Sequence, residues 1–140
     1  MDNEKLLRAL DNENNSSMIN LTSKKIKQIK NDNLQLLQLS RETLKEFHKK
    51  LKDYRYVDEL NEIQYGHYLR WIPLKNPEKI YLTKGAILLD IKIKEQGAHL
   101  LFKNSYNKIF EIKLDENMLF QKLSDQEKIL LSALDYVSPN

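Results

Sequence analysis

The chain has 140 residues, of which 41% are hydrophobic and 31% charged, and its formal net charge is +3. This size predicts one soluble globular domain with a core of its own. The chain contains no cysteine, which excludes disulfides, thiolate metal sites and cysteine nucleophiles. No apolar run reaches the roughly 18 residues of a membrane span, and the acidic start lacks the layout of a secretory signal, so we expect a protein that is not secreted.

Residues 1–33 are predicted to be a polar, partly helical arm. Three leucines within residues 3–11 predict a short helix. The stretch NENNSS, residues 12–17, predicts a mobile linker because it has no apolar group to bury. The run KKIKQIK, residues 24–30, predicts a helix whose lysines face solvent around two isoleucines. As an alternative, the same lysines form a phosphate-contacting arm.

A single compact domain is predicted for residues 34–140. Leu, Phe and Tyr recur in its first part at the three-, four- and seven-residue spacings of one helix face. Residues 22–53 form either one long helix or two. Asn33 and Ser40 favour two helices, because they fall on the face where a long coiled coil needs apolar residues. Ser40 is then the N-cap of the second helix.

After residue 66 the apolar spacing changes from helical to alternating, which predicts strands. The predicted strands lie at residues 68–72, 79–83, 86–94, 99–104 and 108–114. Alternation in the third predicted strand places four apolar side chains on one face: Ile87, Leu89, Ile91 and Ile93. Short polar turns between the later strands predict antiparallel hairpins.

A C-terminal helix is predicted after the strands. Ser124 and Glu127 have the spacing of a capping box, and Pro139 ends the helix. The fold class is therefore predicted as α+β, with N-terminal helices, an antiparallel sheet of about five strands or a small barrel, and a C-terminal capping helix.

The residue pattern does not predict an enzyme. The three histidines, His48, His67 and His99, have no metal-ligand spacing and are predicted to face solvent. The three glycines match no phosphate-binding loop, and no serine lies in a nucleophile elbow. We therefore expect no catalytic residue, metal, cofactor or small-molecule substrate.

Basic and aromatic residues are concentrated in the middle of the chain. Residues 66–123 carry ten Lys or Arg against six Asp or Glu. Small antiparallel barrels bind single-stranded nucleic acid by stacking bases on exposed aromatic side chains within a positive groove. The candidate contacts for nucleic acid or an acidic partner are Tyr68, Arg70, Lys75, Lys79 and Lys84.

The stretch GHYLRW leaves two interpretations of Arg70 open. Alternation places Trp71 opposite Arg70 on the strand, which favours a core position for the tryptophan. Arg70 then either pairs with Glu59 or Glu62, or lies free in a groove for a phosphate or an acidic partner. Structural roles are predicted for Trp71, Gly66, Gly85, Ser124 and Glu127.

Protein assembly is an equal alternative to nucleic-acid binding. The N-terminal third cannot bury much apolar surface by itself, so it could dock on a partner or on a second copy. The leucines of residues 34–39 are either buried inside the domain or shared with a dimer interface. We expect a non-catalytic binding or assembly module, with protein, a second copy or nucleic acid as partner and no membrane association.

Three segments between residues 50 and 136 resemble small uncharacterised proteins of nucleocytoplasmic large DNA viruses. The matching positions are Tyr54, Tyr56, Gly66, Tyr68, Leu69, Arg70, Trp71, Ile72, Leu82, Gly85, Phe120, Lys122, Leu123, Ser124 and Glu127. The chain departs from the family pattern at Gly85-Ala86, where that pattern has two glycines. The resemblance implies a virus-encoded factor in the host cytoplasm, at a viral factory or in the virion, without catalytic residues to transfer.

Overall fold

The computed structural model describes residues 3–138, and Pro139 lies outside the described residues. The helices are α1 (Asn3–Asp11), α2 (Ser23–Gln35), α3 (Arg41–Lys50) and α4 (Asp125–Val137), with 3-10 helices at Glu13–Met18, Leu60–Glu62 and Leu114–Glu116. The strands are β1 (Tyr54–Val57), β2 (Tyr68–Pro73), β3 (Ala86–Lys94), β4 (Gly97–Lys103), β5 (Ile109–Lys113) and β6 (Asn117–Lys122). They form one open antiparallel sheet in the order β1-β6-β2-β3-β4-β5. The predicted α+β class is confirmed.

The strand assignment differs from the prediction at three places. β1 and β6 were not predicted, and they pair with each other from Tyr54 with Lys122 to Val57 with Leu119. Residues 79–83, predicted as a strand, form a loop. This loop approaches β2 where the Thr83 N–H donates to the Trp71 carbonyl at 2.9 Å.

The inner face of the sheet carries the largest core cluster. Its buried members include Val57, Leu69, Trp71, Leu88, Leu100, Phe102 and Leu119. The Trp71 and Phe102 rings stack with 4.5 Å between centroids, and the Phe110 centroid is 5.9 Å from that of Trp71. Because β2 is not a neighbour of β4 or β5 in the sheet, the sheet must curl around the tryptophan to make these contacts.

Helices α2 and α3 cover the outer face of β1, β6 and β2. Six buried side chains meet there: Leu34, Phe47, Leu51, Ile72, Met118 and Phe120. The two-helix alternative is thus confirmed, with Thr22 and Ser40 as the N-caps. Of the leucines in residues 34–39, Leu34 is buried and Leu37 and Leu39 are half-buried against this cluster, whereas Leu36 is 75% exposed.

The segment predicted as an N-terminal arm packs onto α4 over its described part. Ala9, Met18 and Ile26 are buried in one cluster with Leu130 and Leu131. The predicted mobile linker is mostly a 3-10 helix. Its Asn15 is buried and donates to the Ala9 carbonyl and to the Gln126 side chain. A polar side chain thus replaces the apolar contact that the sequence lacks there.

Lys30 departs from the predicted solvent-facing lysines of α2. Its side chain is buried, and its Nζ donates to the carbonyls of Leu51 and Tyr54 at 2.8 and 3.0 Å. Burial, followed by the nearby Lys27 charge, lowers the pKa of Lys30. Lys30 therefore joins α2 to the turn between α3 and β1.

We expect Lys30→Met to lower the free energy of unfolding by about 1–3 kcal/mol, because two carbonyls lose their charged donor. Urea unfolding followed by circular dichroism measures the change. Lys27→Met, an exposed lysine on the same helix, is the matched control and should have little effect. Equal losses in the two variants would contradict the anchoring role of Lys30.

Candidate functional site

Two of the predicted contact residues hold the loop that follows β2. Arg70 Nε donates to the Thr83 carbonyl at 2.9 Å, and the Tyr68 hydroxyl donates to the Lys84 carbonyl at 2.8 Å. Gly85 follows with φ +86°, and a Cβ there would lie 2.2 Å from the Leu69 carbonyl oxygen. Only glycine fits this close approach.

The predicted pairing of Arg70 with Glu59 or Glu62 is wrong. Glu62 instead contacts Arg55, with 3.2 Å between Arg55 Nη1 and Glu62 Oε2, whereas the Arg70 Nε reaches the Thr83 carbonyl. The sequence could not distinguish the two arginines, because Arg55 lies on the unpredicted strand β1.

The three predicted contact lysines make separate contacts. Lys75 forms an ion pair with Glu116 at 3.5 Å, and Lys79 Nζ lies 5.9 Å from the centroid of the Tyr81 ring. Lys84 is exposed beside Gly85. Each of these lysines thus has a different neighbour, and a shared groove for nucleic acid or an acidic partner stays a prediction.

The residues with predicted structural roles occupy ordered positions. Trp71 is 5% exposed, and the Gly66 N–H donates to the Leu88 carbonyl at 2.8 Å in the turn before β2. Ser124 and Glu127 form the predicted capping box at the start of α4. Glu127 is also completely buried, which a capping role alone does not require.

The outer face of β3, β4 and β5 forms an open surface, which we call the open face. Strand partners in register share one face of a sheet. Four cross-strand rows define it: Ile87–Lys103–Ile109, Asp90–Leu101–Glu111, Lys92–His99–Lys113 and Lys94–Gly97. Helices α2 and α3 cover the neighbouring half of the sheet, where the second core cluster lies.

Aliphatic side chains remain exposed on the open face. Ile87 is 42% and Ile109 58% exposed, and Leu101 in the next row is half-buried. Leu89, at the β-bulge where the β3–β4 register shifts, is 40% exposed. Neighbouring apolar side chains with a polar rim can mark a docking surface, and Ile87, Leu101 and Ile109 lie in adjacent cross-strand rows.

The charge of the open face is positive. It carries four lysines, Lys92, Lys94, Lys103 and Lys113, and two carboxylates, Asp90 and Glu111. Lys94 Nζ lies 3.1 Å from Glu111 Oε2, and this hydrogen bond lowers the pKa of Glu111. The Asp90 carboxylate accepts the N–H of Ile91 at 2.9 Å. The face therefore offers cationic groups beside aliphatic ones.

The histidines are less exposed than predicted. The His99 side chain is 11% exposed, and its Nδ1 lies 3.8 Å from Glu111 Oε2. His48 and His67 are half-buried, and His48 Nε2 lies 2.9 Å from Asn31 Oδ1. Residues 3–138 contain no group of His, Asp and Glu that could hold a metal ion.

The β-bulge explains why the sequence did not reveal the open face. Alternation predicted that Ile87, Leu89, Ile91 and Ile93 share one side of β3. The register shift between Leu88 and Asp90 changes the phase, since a bulge inserts an extra residue into one strand. Ile87 therefore points outward, while Ile91 packs against the inner core.

A cavity of about 310 Å³ lies between α2 and β1. Its lining residues are Leu21, Ile26, Ile29, Asn33, Arg55, Tyr56, Asp58 and Glu62. Burial and the adjacent Glu62 carboxylate raise the pKa of Asp58. Arg55 and Glu62 already bind each other, so the open face is the stronger candidate for a ligand.

No family model, curated protein or solved structure matches this chain. The resemblance to proteins of large DNA viruses gains no support from these comparisons and stays a prediction. No helix within residues 3–138 is long and apolar enough to cross a membrane.

Proposed function

We propose that this protein is a non-catalytic binding module whose open face docks an acidic, amphipathic helix of a protein partner. The observation that carries the proposal is the exposure of Ile87 and Ile109 beside Lys103, within one cross-strand row. A partner with aliphatic and carboxylate side chains on one surface complements both properties.

The chemistry of the exposed apolar groups favours a protein partner. Ile87, Leu101 and Ile109 are aliphatic, and they pack well against leucines of an amphipathic helix. Bases of single-stranded nucleic acid stack mainly on aromatic rings. The nearest aromatic side chain in the same row, Tyr68, uses its hydroxyl to hold the Lys84 carbonyl.

The proposal is tested with a fluorescein-labelled helical peptide that has leucines at i, i+3, i+4 and i+7 and glutamates elsewhere. We expect its anisotropy to rise on adding protein, and the affinity to fall with salt. Ile109→Glu and Lys103→Glu should each weaken binding about tenfold, or roughly 1.4 kcal/mol.

Lys45→Glu makes the same charge change on the exposed side of α3 and is the matched control. A peptide with the same composition in scrambled order should bind weakly, because its leucines no longer share a face. Equal binding by all variants, or none at low salt, would overturn the proposed docking face.

Nucleic-acid binding is a second candidate, favoured by side chains between the open face and β1. Lys122, which is exposed, pairs with Tyr54, and Tyr68 lies beside the neighbouring Leu69–Gln121 pair, so the edge of the helix-covered half of the sheet combines basic and aromatic side chains. Labelled single- and double-stranded oligonucleotides at two salt concentrations test it. Binding that weakens steeply with salt and is lost in Lys122→Glu would support this candidate, whereas no binding at low salt would remove it.

A place in the host cytoplasm, a viral factory or a virion is part of the same proposal. Its only support is the sequence resemblance described above. A docking module without catalytic groups suits an assembly or accessory role in any of these locations.

A further inference from the structure

Helix α1 carries a second exposed apolar surface. Leu7 and Leu10 are 59% and 53% exposed, and their spacing of three residues places them on one side of the helix. Leu6 and Ala9, on another side, pack with the cluster that contains Leu130. One side of α1 therefore stabilises the fold, while the leucine pair faces outward.

Acidic side chains lie beside the C-terminal end of α1. Asp11 ends α1, and Glu13 and Asp125 are exposed nearby. The Asn12 amide donates to the Gln126 side chain at 2.8 Å, which holds the end of α1 beside the start of α4. The C-terminal end of a helix also carries partial negative charge. We call this surface of Leu7, Leu10, Asp11, Glu13 and Asp125 the α1 surface.

We propose that the α1 surface of one copy docks on the open face of a second copy. This inference rests on the proposed function, because it names α1, with its exposed leucines and the carboxylates beside its C-terminal end, as the helix that the open face would accept. Leu7 and Leu10 would pack against Ile87 and Ile109, which lie in one cross-strand row. Carboxylates at the end of α1 would meet the lysines of β3 and β4.

The two surfaces are different, so the association is head-to-tail. An open assembly keeps one free α1 surface at one end and one free open face at the other. Heterologous contacts of this kind extend into open chains unless the rotation between copies closes a ring. A helix of nine residues buries little area, and interfaces below about 1,200 Å² are typically transient. We therefore expect the average size of the assembly to increase with protein concentration and to decrease with salt.

Complementation between two variants tests the arrangement. Leu10→Glu removes the α1 surface and leaves the open face intact, whereas Ile109→Glu does the reverse. Sedimentation velocity should show each variant alone as a monomer, and the wild type as species larger than a dimer at high concentration. An equal mixture should form a one-to-one heterodimer and nothing larger, because each variant retains one working surface.

The outcomes separate this inference from the proposed function. A monomeric wild type that still binds the leucine–glutamate peptide would overturn self-association and leave the open face as a docking site. Loss of both activities would overturn both proposals. An oligomeric wild type whose two variants do not complement would overturn the head-to-tail arrangement. Circular dichroism must show that both variants are folded, as expected from the exposure of both positions.

Discussion

Arg55→Met is expected to lower the free energy of unfolding by about 3–5 kcal/mol, the range for removing one partner of a buried ion pair. The Arg55 side chain is 2% exposed. Its Nη1 donates to Glu62 and its Nη2 to Ser17, while its Nε lies 3.5 Å from Glu127 Oε2. Glu127 is completely buried, so the variant leaves a carboxylate in the interior without its cation.

This network joins segments that are distant in the sequence. Arg55 lies on β1, Ser17 in the first 3-10 helix, Glu62 in the second, and Glu127 in the first turn of α4. The Arg55 guanidinium is the cation that the two carboxylates share, because no other cation in the described structure pairs with either of them. We therefore expect the loss to affect global unfolding rather than one helix end.

Urea unfolding followed by circular dichroism measures the effect of Arg55→Met. Arg41→Met, at an exposed arginine in α3, is the control and should change stability by less than about 0.5 kcal/mol. The double variant Arg55→Met with Glu127→Gln should recover part of the loss, since it removes the stranded charge and keeps the capping geometry. A loss below about 1 kcal/mol in Arg55→Met would show that the network contributes little.

Local signals in the sequence predicted the elements that depend on neighbouring residues. The N-cap of α3 at Ser40 and the capping box of Ser124 with Glu127 are satisfied within one turn of each helix. The hairpins of β3, β4 and β5 have short turns, so their pairing is also local. These features were predictable because the partners lie close together in the chain.

The predictions failed where residues that are distant in the sequence contact each other in the fold. β1 is only four residues long, and its pairing with β6 has no local sign in the sequence. Lys30 reads as one of several lysines on a polar helix, because the carbonyls that it binds belong to a later turn. Arg55 likewise meets its carboxylates only after the sheet and α4 have come together.

At the candidate site, a single inserted residue determined which side chains of β3 could not be assigned to a face from the sequence. The sequence correctly placed lysines and isoleucines on β3, but it could not locate the register shift at Leu89. That shift decides which of these side chains point outward. The predicted contact residues Tyr68 and Arg70 are instead held by the loop that follows β2.

Trp71→Ala is expected to cost about 3–5 kcal/mol, as for other large aromatic residues removed from a core. The Trp71 ring contacts Phe102 and Phe110 across the curled sheet. These two residues lie on the inner side of β4 and β5, behind the open face. Loss of the ring therefore removes the contact that holds those strands towards β2.

Thermal or urea unfolding should be followed by circular dichroism, because Trp71 is the only tryptophan in the chain and its fluorescence disappears with it. Trp71→Phe keeps an aromatic ring against Phe102 and should retain a large part of the stability. Peptide binding at the open face should fall in Trp71→Ala only as far as the folded fraction falls. A stably folded Trp71→Ala protein that had lost binding would mean that the tryptophan acts in recognition and not as the centre of the core.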